Sequence, residues 1–383
     1  MHAQNTLHLP RPAGILLLLA LGLPLSGVDV VPAAPGKVTL TLAGQALIKH
    51  DLRKELPEQF PAMGALLRAG GSQVIFTDLE TTIDGSFGGT PRIKTGFFHA
   101  TKPRALDDLK DLGFNLFATG NNHSWDLGAG GVLSTLSELD KRGLVHAGSG
   151  RNLGEAAAPA FLETPGGRVA LVAFATKIPI GSGAGEMSPG VNEVRVDAQQ
   201  RIIAEDAARI MAAIRLASAH AALVIVYQHD HYWEEDKFKT PDWKKEFARA
   251  CVDAGAAVFV SHGIPQLHGL EIYKGRPIFY GLGSFIFHTV TKPSYYSPET
   301  WQTALADLVF DQGRLVSLRI RPVLLNELGS DAARFNETRG APRAATGADA
   351  RRVLEHFASQ SSGYGTIFRH EGDSAVIDLT VRP

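Results

Sequence analysis

The chain has 383 residues, with 38 Lys and Arg against 39 Asp and Glu, so no bulk charge marks it for nucleic acid or for an anionic membrane. That length suits two or three domains, or one large α/β domain with an added tail, and buries a sizeable core. The single cysteine, Cys251, excludes an intramolecular disulfide framework and a zinc–cysteine site, and reads as a core residue.

Residues 1–34 have the pattern of a secretory signal. Ile15 to Leu25 is apolar, Arg11 precedes it, and Val31 and Ala33 suit the −3 and −1 positions of a cleavage site. The run is short for a bilayer span, which needs about 20 apolar residues. The expectation is a signal peptide over 1–33, with retention as a membrane anchor as the alternative. Either way the remainder acts outside the cytoplasm, in the periplasm or beyond.

Val38 to Leu42 alternates apolar residues with threonine and predicts a strand, ending at Ala43-Gly44-Gln45. Phe60 to Leu67 reads as helix. Val74 to Phe76 is the next strand, followed by Thr77-Asp78-Leu79-Glu80. Residues 84–92 are loop by composition. Pro103 to Leu112 predicts a helix with proline near its first turn. The apolar run Phe114 to Ala118 stops at Thr119-Gly120, and Asn121-Asn122-His123 arrive together with Asp126 three residues on. Gly128, Gly130 and Gly131 precede a helical pattern that opens at Val132.

Leu144 to Ser149 reads as a short strand, Asn152 to Ala158 as a short helix, and Arg168 to Phe174 as a strand. Residues 178–192, rich in Gly, Ser and Pro, form a long loop suited to cover a site. A helix over Gln199 to Ala219 precedes the strand Ala222 to Tyr227, which ends in Gln228-His229-Asp230-His231. Trp243 to Ala254 is a helix, and Ala257 to Val260 a strand ending in Ser261-His262-Gly263. Leu270 to Tyr273 and Ile278 to Tyr280 suggest a hairpin. Ala304 to Phe310 and Leu315 to Ile320 form an antiparallel pair. Residues 327–347 read as a surface excursion, 349–359 as a helix and 375–381 as a final strand.

Five strands thus end in or near Gln45, Glu80, Asn122-His123, His229 and His262. Loops at the carboxyl ends of strands are where open α/β sheets place ligands. One histidine at a strand end is more often a satisfied loop residue than a ligand, but five such endings converge on one chemistry. A carboxylate, an amide oxygen and two imidazoles suit a divalent ion such as Mn, Fe, Zn or Mg.

The order of these residues resembles the calcineurin-like metallophosphoesterases, and more closely the CapA family of poly-γ-glutamate capsule synthesis proteins. The likeness runs from about residue 38 to about 325. It is carried by LETTI at 79–83, NNHSWDLG at 121–128, HAGSGRNLGEA at 146–156 and HGLEIYKGRPIFYGLGSF at 268–285. The resemblance implies a metallophosphoesterase-like α/β four-layer sandwich, with two mixed β-sheets flanked by helices. It places one domain over 34–325, with 326–383 as an extension packing on it. It implies metal ligands at Glu80, Asn122, His229 and His262, with His123 as the catalytic imidazole and Asp126 holding its tautomer.

The match departs from the family at three places. The family's Gly-Asp reads Gly44-Gln45, its Gly-His-x-Pro-His ends on Pro265, and its late Gly-Asn-Phe reads Gly283-Ser284-Phe285. The first two departures fall on one metal of the superfamily's pair, so the expectation is one divalent ion, with Gln45, His231 and His268 as weaker metal or substrate contacts. The function expected is capsule or exopolymer synthesis, through a metal-dependent hydrolase with a depleted two-metal site. Its partners would be an anionic polymer or phosphoester and other capsule synthesis or export proteins. The competing reading is a non-catalytic polymer-binding or export factor. It would use Tyr232 and Trp233 on sugar faces, and Arg92, Lys94 and Lys177 on anions.

Overall fold

Residue alternation along Val169–Thr176 sets the layering. Val169, Leu171 and Ala173 face one core, while Ala170, Val172 and Phe174 face another. Side chains of a strand point to opposite faces with period two, so a strand apolar on both sides must be covered on both. The same holds for Leu223–Asp230, with Ile225 and Tyr227 on the first side and Val224 and Val226 on the second.

The computed structural model describes residues 36–92, 97–232 and 234–380. The secretory-signal reading of 1–34, together with Lys94 and Trp233, lies outside the described residues. Two mixed sheets carry the fold. In the six-stranded sheet, Val169–Thr176, Leu223–Asp230, Val258–His262 and Arg276–Phe279 run parallel, edged by antiparallel Ala160–Leu162 and Leu270–Tyr273. In the nine-stranded sheet, Val38–Leu42, Val74–Asp78, Leu116–Ala118 and Val145–Ala147 run parallel. The long pair Gln302–Asp311 and Arg314–Leu325 extends it antiparallel.

The sheets pack face to face. Leu40, Phe76 and Leu116 of one meet Leu171, Ile225 and Val260 of the other in a shared core. Helices Phe60–Arg68 and Arg104–Leu112 cover the outer face of the nine-stranded sheet through Met63, Leu67, Leu106 and Leu109. Helices Ala204–His220 and Asp242–Asp253 cover the other sheet through Ile210, Ile214, Phe247 and Cys251. This is the four-layer arrangement of mixed sheets and flanking helices that the sequence led us to expect. Cys251 is buried and free, and burial raises its thiol pKa.

Several boundaries differ from expectation for local physical reasons. The helix after the Asn-Asn-His turn starts at Gly128, not Val132. Its glycines lie inside the first turn because a Cβ on Gly130 would stand 2.5 Å from the Gly88 carbonyl oxygen, and one on Gly131 the same distance from Thr82 Oγ1. The helix expected from Gln199 starts at Ala204, because Asp197 Oδ1 accepts the backbone N–H groups of Gln199 and Arg201 and holds a turn there. Residues 327–347 are not merely a surface excursion. Pro342–Ala344 pairs with Arg314–Leu325, and Arg339 is fully buried between the rings of Trp301 and Phe335. Beyond them, helix Gly347–Ser361 puts Val353, Leu354 and Phe357 into the shared core, and Ser374–Ile377 pairs with Arg314–Leu325.

Among the short strands that escaped the sequence pattern are two that pair with each other. Gln45–Leu47 and Ser284–Phe287 form a separate parallel pair in which Gln45 lies opposite Ser284.

Gly263 closes the strand Val258–His262 against its neighbour. Its φ is +133°, and a Cβ there would lie 1.8 Å from the Asp230 carbonyl oxygen. Gly263→Ala is expected to cost about 3 kcal/mol or more in urea unfolding. Gly275→Ala, at φ +73° in a hairpin turn with open space around it, is expected to cost about 1 kcal/mol.

Candidate metal centre

The carboxyl ends of both sheets meet at one point. Strand Val74–Asp78 brings Asp78, and Glu80 follows two residues on. The Glu80 N–H donates to the Ala46 carbonyl at 3.1 Å, and Leu79 N–H to Ala118 at 2.9 Å, so the segment is pinned between two neighbouring strands. From the opposite sheet, the apolar run of Leu223 to Tyr227 continues as ladder through Gln228, His229 and Asp230, all buried. His229 therefore sits inside the strand, in register with His262 on the parallel neighbour.

His229 Nδ1 donates to Asp78 Oδ2 at 3.2 Å, with the Tyr227 hydroxyl 3.1 Å from the same nitrogen. That hydrogen bond fixes the tautomer and leaves Nε2 with its lone pair free, the pattern in which carboxylates back ligating histidines. Nε2 lies 3.6 Å from Glu80 Oε1, too far for a hydrogen bond. Ligand atoms sharing a tetrahedral ion at about 2.1 Å stand about 3.4 Å apart. His231 stacks on His229 with ring centroids 5.0 Å apart. One ligand atom from each of Glu80, His229 and His231 lies within 4.8 Å of the others.

The electrostatics point the same way. Burial, reinforced by Asp78 and Asp126, pushes the Glu80 carboxyl well above its usual range. Burial raises Asp78 to about 6, against the opposing pull of His262. Burial holds the imidazoles of His229 and His231 well below their usual range, and His262 down to about 3. The acids resist charging and the imidazoles stay neutral, and a divalent cation favours the charged acid and the neutral ring. Glu80 Oε2, Asn122 Oδ1, His229 Nε2 and Gln45 Oε1 are buried without a hydrogen-bond partner. Such orphans are costly unless a ligand takes them, so this donor set fits a divalent ion.

The expected ligands divide. Glu80 and His229 come together as expected, and His231, expected only as a weaker contact, completes the triad. His262 falls outside it. Its ring packs on Tyr227 at 5.5 Å, and both of its ring nitrogens lack partners. Asn122 is half-buried at the turn, while its neighbour Asn121 is the structural residue. The Asn121 side-chain amide donates to Asp78 Oδ1 and the Leu79 carbonyl, and its oxygen accepts from His123 N–H and Ser124 Oγ. His268 lies apart, with its backbone N–H on the Gly281 carbonyl and its ring near Phe238. With His262, Lys244 and Asp230 it lines a cavity of about 10 Å³, the room of one water.

His123 Nδ1 donates to Asp126 Oδ2 at 2.9 Å, and the same oxygen accepts the His99 N–H at 2.7 Å. His123 and Asp126 are thus joined through Nδ1, and Nε2 of His123 lies outside that hydrogen bond. The His99 ring meets His123 edge-on at 4.2 Å. The sequence reading missed Asp78 as the orienter of His229. Its position two residues before Glu80 was the available signal, since residues i and i+2 share a side of an extended chain.

Residues 39–289 match the family described as bacterial capsule synthesis protein PGA_cap. The chain belongs to that family. An uncharacterized protein of Sinorhizobium fredii is 28% identical over 438 residues, covering 89% of this chain and 93% of that protein. The PGA biosynthesis protein CapA of Bacillus subtilis is 31% identical over 189 residues, 49% of this chain and 46% of CapA. A probable polyglutamine synthesis accessory protein of Mycobacterium tuberculosis is 26% identical and aligns over 72% of each chain. Among solved structures, GAP50, the anchor in the inner membrane complex of Plasmodium, aligns with 84% of this chain and 95% of its own at 12% identity, with a TM-score of 0.39. That score adds nothing to the functional argument.

Asp78→Asn is expected to weaken divalent-metal binding 10- to 100-fold, read by competition against a chelating dye, with the fold retained. A second expectation concerns acid stability. Burial depresses His262, His268 and His288 each to about 3, against about 6.5 in the unfolded chain. Between those values the unfolded state takes up protons that the folded state refuses, so stability falls as pH drops from about 6.5 toward 3. Melting of the metal-free protein between pH 7 and pH 4 tests this, and His288→Gln is expected to flatten the slope.

Proposed function

We propose that this chain is a metal-dependent hydrolase of capsule or exopolymer synthesis, acting outside the cytoplasm on an anionic polymer such as poly-γ-glutamate. The observation that carries the reading is the Glu80–His229–His231 triad with Asp78 behind His229, set beside a formed His123–Asp126 dyad. The polymer comes from the relatives' names, and the location from the signal pattern of residues 1–34. When bound, a divalent ion supplies Lewis-acid polarisation and activates water. Glu80, His229 and His231 would hold it, with Asn122 as a further oxygen donor. Asp126 accepts from His123 Nδ1, so Nε2 would take up a proton and, as the imidazolium, deliver it to the leaving group.

A second reading rests on a separate observation. Gln45 and Ser284, where the family carries Asp and Asn, face each other across the short ladder. Together, Gln45 and Pro265 take a carboxylate and an imidazole away from the position that the family resemblance gives to a second ion. Without a two-ion clamp, chemistry on phosphodiesters would be slow, and a polymer-holding role on the same site becomes the alternative.

Metal content of the purified chain separates the two. The expected result is about one divalent ion per chain, lost in both Glu80→Gln and His229→Ala. His123→Ala is expected to keep the ion and lose about 10²- to 10⁴-fold in hydrolysis of poly-γ-glutamate or a model phosphodiester. No ion under any loading condition sinks the hydrolase reading and leaves the binding protein.

A further inference from the structure

The opposite end of the molecule carries a second concave surface. A cleft of about 750 Å³ opens where the amino ends of the two sheets meet, within the size range of ligand sites. The six-stranded sheet contributes the hairpin of Leu270–Tyr273 and Arg276–Phe279, and the nine-stranded sheet contributes the start of Arg314–Leu325. Arg276 lies two residues before Ile278, which pairs with Phe259. The cleft is therefore about 17 Å along the strands from His262, and shares no residue with the metal centre.

Its charge is one-sided. Arg249, Lys274, Arg276 and Arg314 line it, against the single carboxylate of Glu271. Glu271 is taken by Arg249 at 2.9 Å, and Lys274 turns to Asp253 at 2.6 Å. That leaves two uncompensated guanidinium groups. Arg276 is half-buried, and its one side-chain hydrogen bond among the described residues goes from Nη1 to the Gly313 carbonyl at 2.6 Å. Burial alone shifts its pKa, downward, with no acid opposing. Arg314 is exposed and has no ion pair among the described residues. A half-buried guanidinium without a carboxylate is unfavourable, and it presents a planar fork shaped for one. The remaining walls are hydrocarbon, from Ile272, Leu315, Leu379 and the ring of Tyr273.

We infer that this cleft is a second binding site for a strand of carboxylates spaced by methylene groups, held by Arg276 and Arg314 over an apolar floor. The apolar walls favour such a chain over a polyphosphate, which has no hydrocarbon to bury. The ligand class rests on the polymer reading above, but the cleft needs neither metal nor hydrolysis. It holds one stretch of a chain while another reaches the metal centre, which raises the local concentration of polymer there.

Binding of a fluorescent oligo-γ-glutamate to the full chain, followed by anisotropy at low salt, tests the inference. The Arg276→Gln/Arg314→Gln pair is expected to bind at least tenfold more weakly with its metal content unchanged. Arg314→Glu, at an exposed position that folding does not depend on, is expected to weaken binding several-fold and covers the case in which the double variant fails to fold. Unchanged binding in Arg314→Glu and in a folded double variant overturns the site. Equal affinity for polyphosphate, lost in the same variants, overturns its assignment to carboxylates. Because the readout is binding, a protein that holds no metal or hydrolyses nothing leaves this test intact.

Discussion

The contact on which the site depends is the hydrogen bond from His229 to Asp78. It joins a residue of the six-stranded sheet to one of the nine-stranded sheet at full burial. Neither group tolerates isolation there, since an unpaired buried carboxylate or imidazole costs several times what a surface contact returns. The pair is therefore satisfied only when the two sheets are in register. Asn121 adds a third anchor by tying the Asn-Asn-His turn to the same carboxylate. Segments distant in sequence, those of Glu80, Asn121 and His229, are thus tied together by one aspartate.

The sequence made much of this legible, because the placement of ligands at strand ends follows from where apolar runs stop. That signal singles out Glu80, His123 and His229, while their roles, and that of Asp126, rest on the family resemblance. The signal failed where polar residues continue the ladder. Gln228, His229 and Asp230 remain paired strand, so the turn falls later and His231 comes back beside Glu80. Hydrophobicity ends at Tyr227, and the hydrogen-bonding partners that carry the strand onward lie on other segments. Arg339 shows the same limit in reverse. A polar, arginine-rich stretch looks like surface until Trp301 and Phe335, far away in sequence or hidden in the stretch itself, supply two ring faces for its guanidinium.

Departures from a family pattern gain meaning from their neighbours. Gln45 and Ser284 are 239 positions apart in the numbering (284 − 45) yet occupy one rung of a ladder. Their oxygens, Oε1 and Oγ, are buried without partners, so the rung is polar and uncharged.

The pairing of Val38–Leu42 with Gln302–Asp311 reaches beyond the site. The strand that opens the described chain has one neighbour at Val74–Asp78 and the other only after residue 301. Residues 39–289, the stretch that defines the family, thus leave that strand with a bare edge, and such edges invite pairing with other chains. Folding waits for contacts of very high sequence separation, which form slowly. Until residues 302–311 have been made, that strand offers one side of its backbone to whatever else can pair with it.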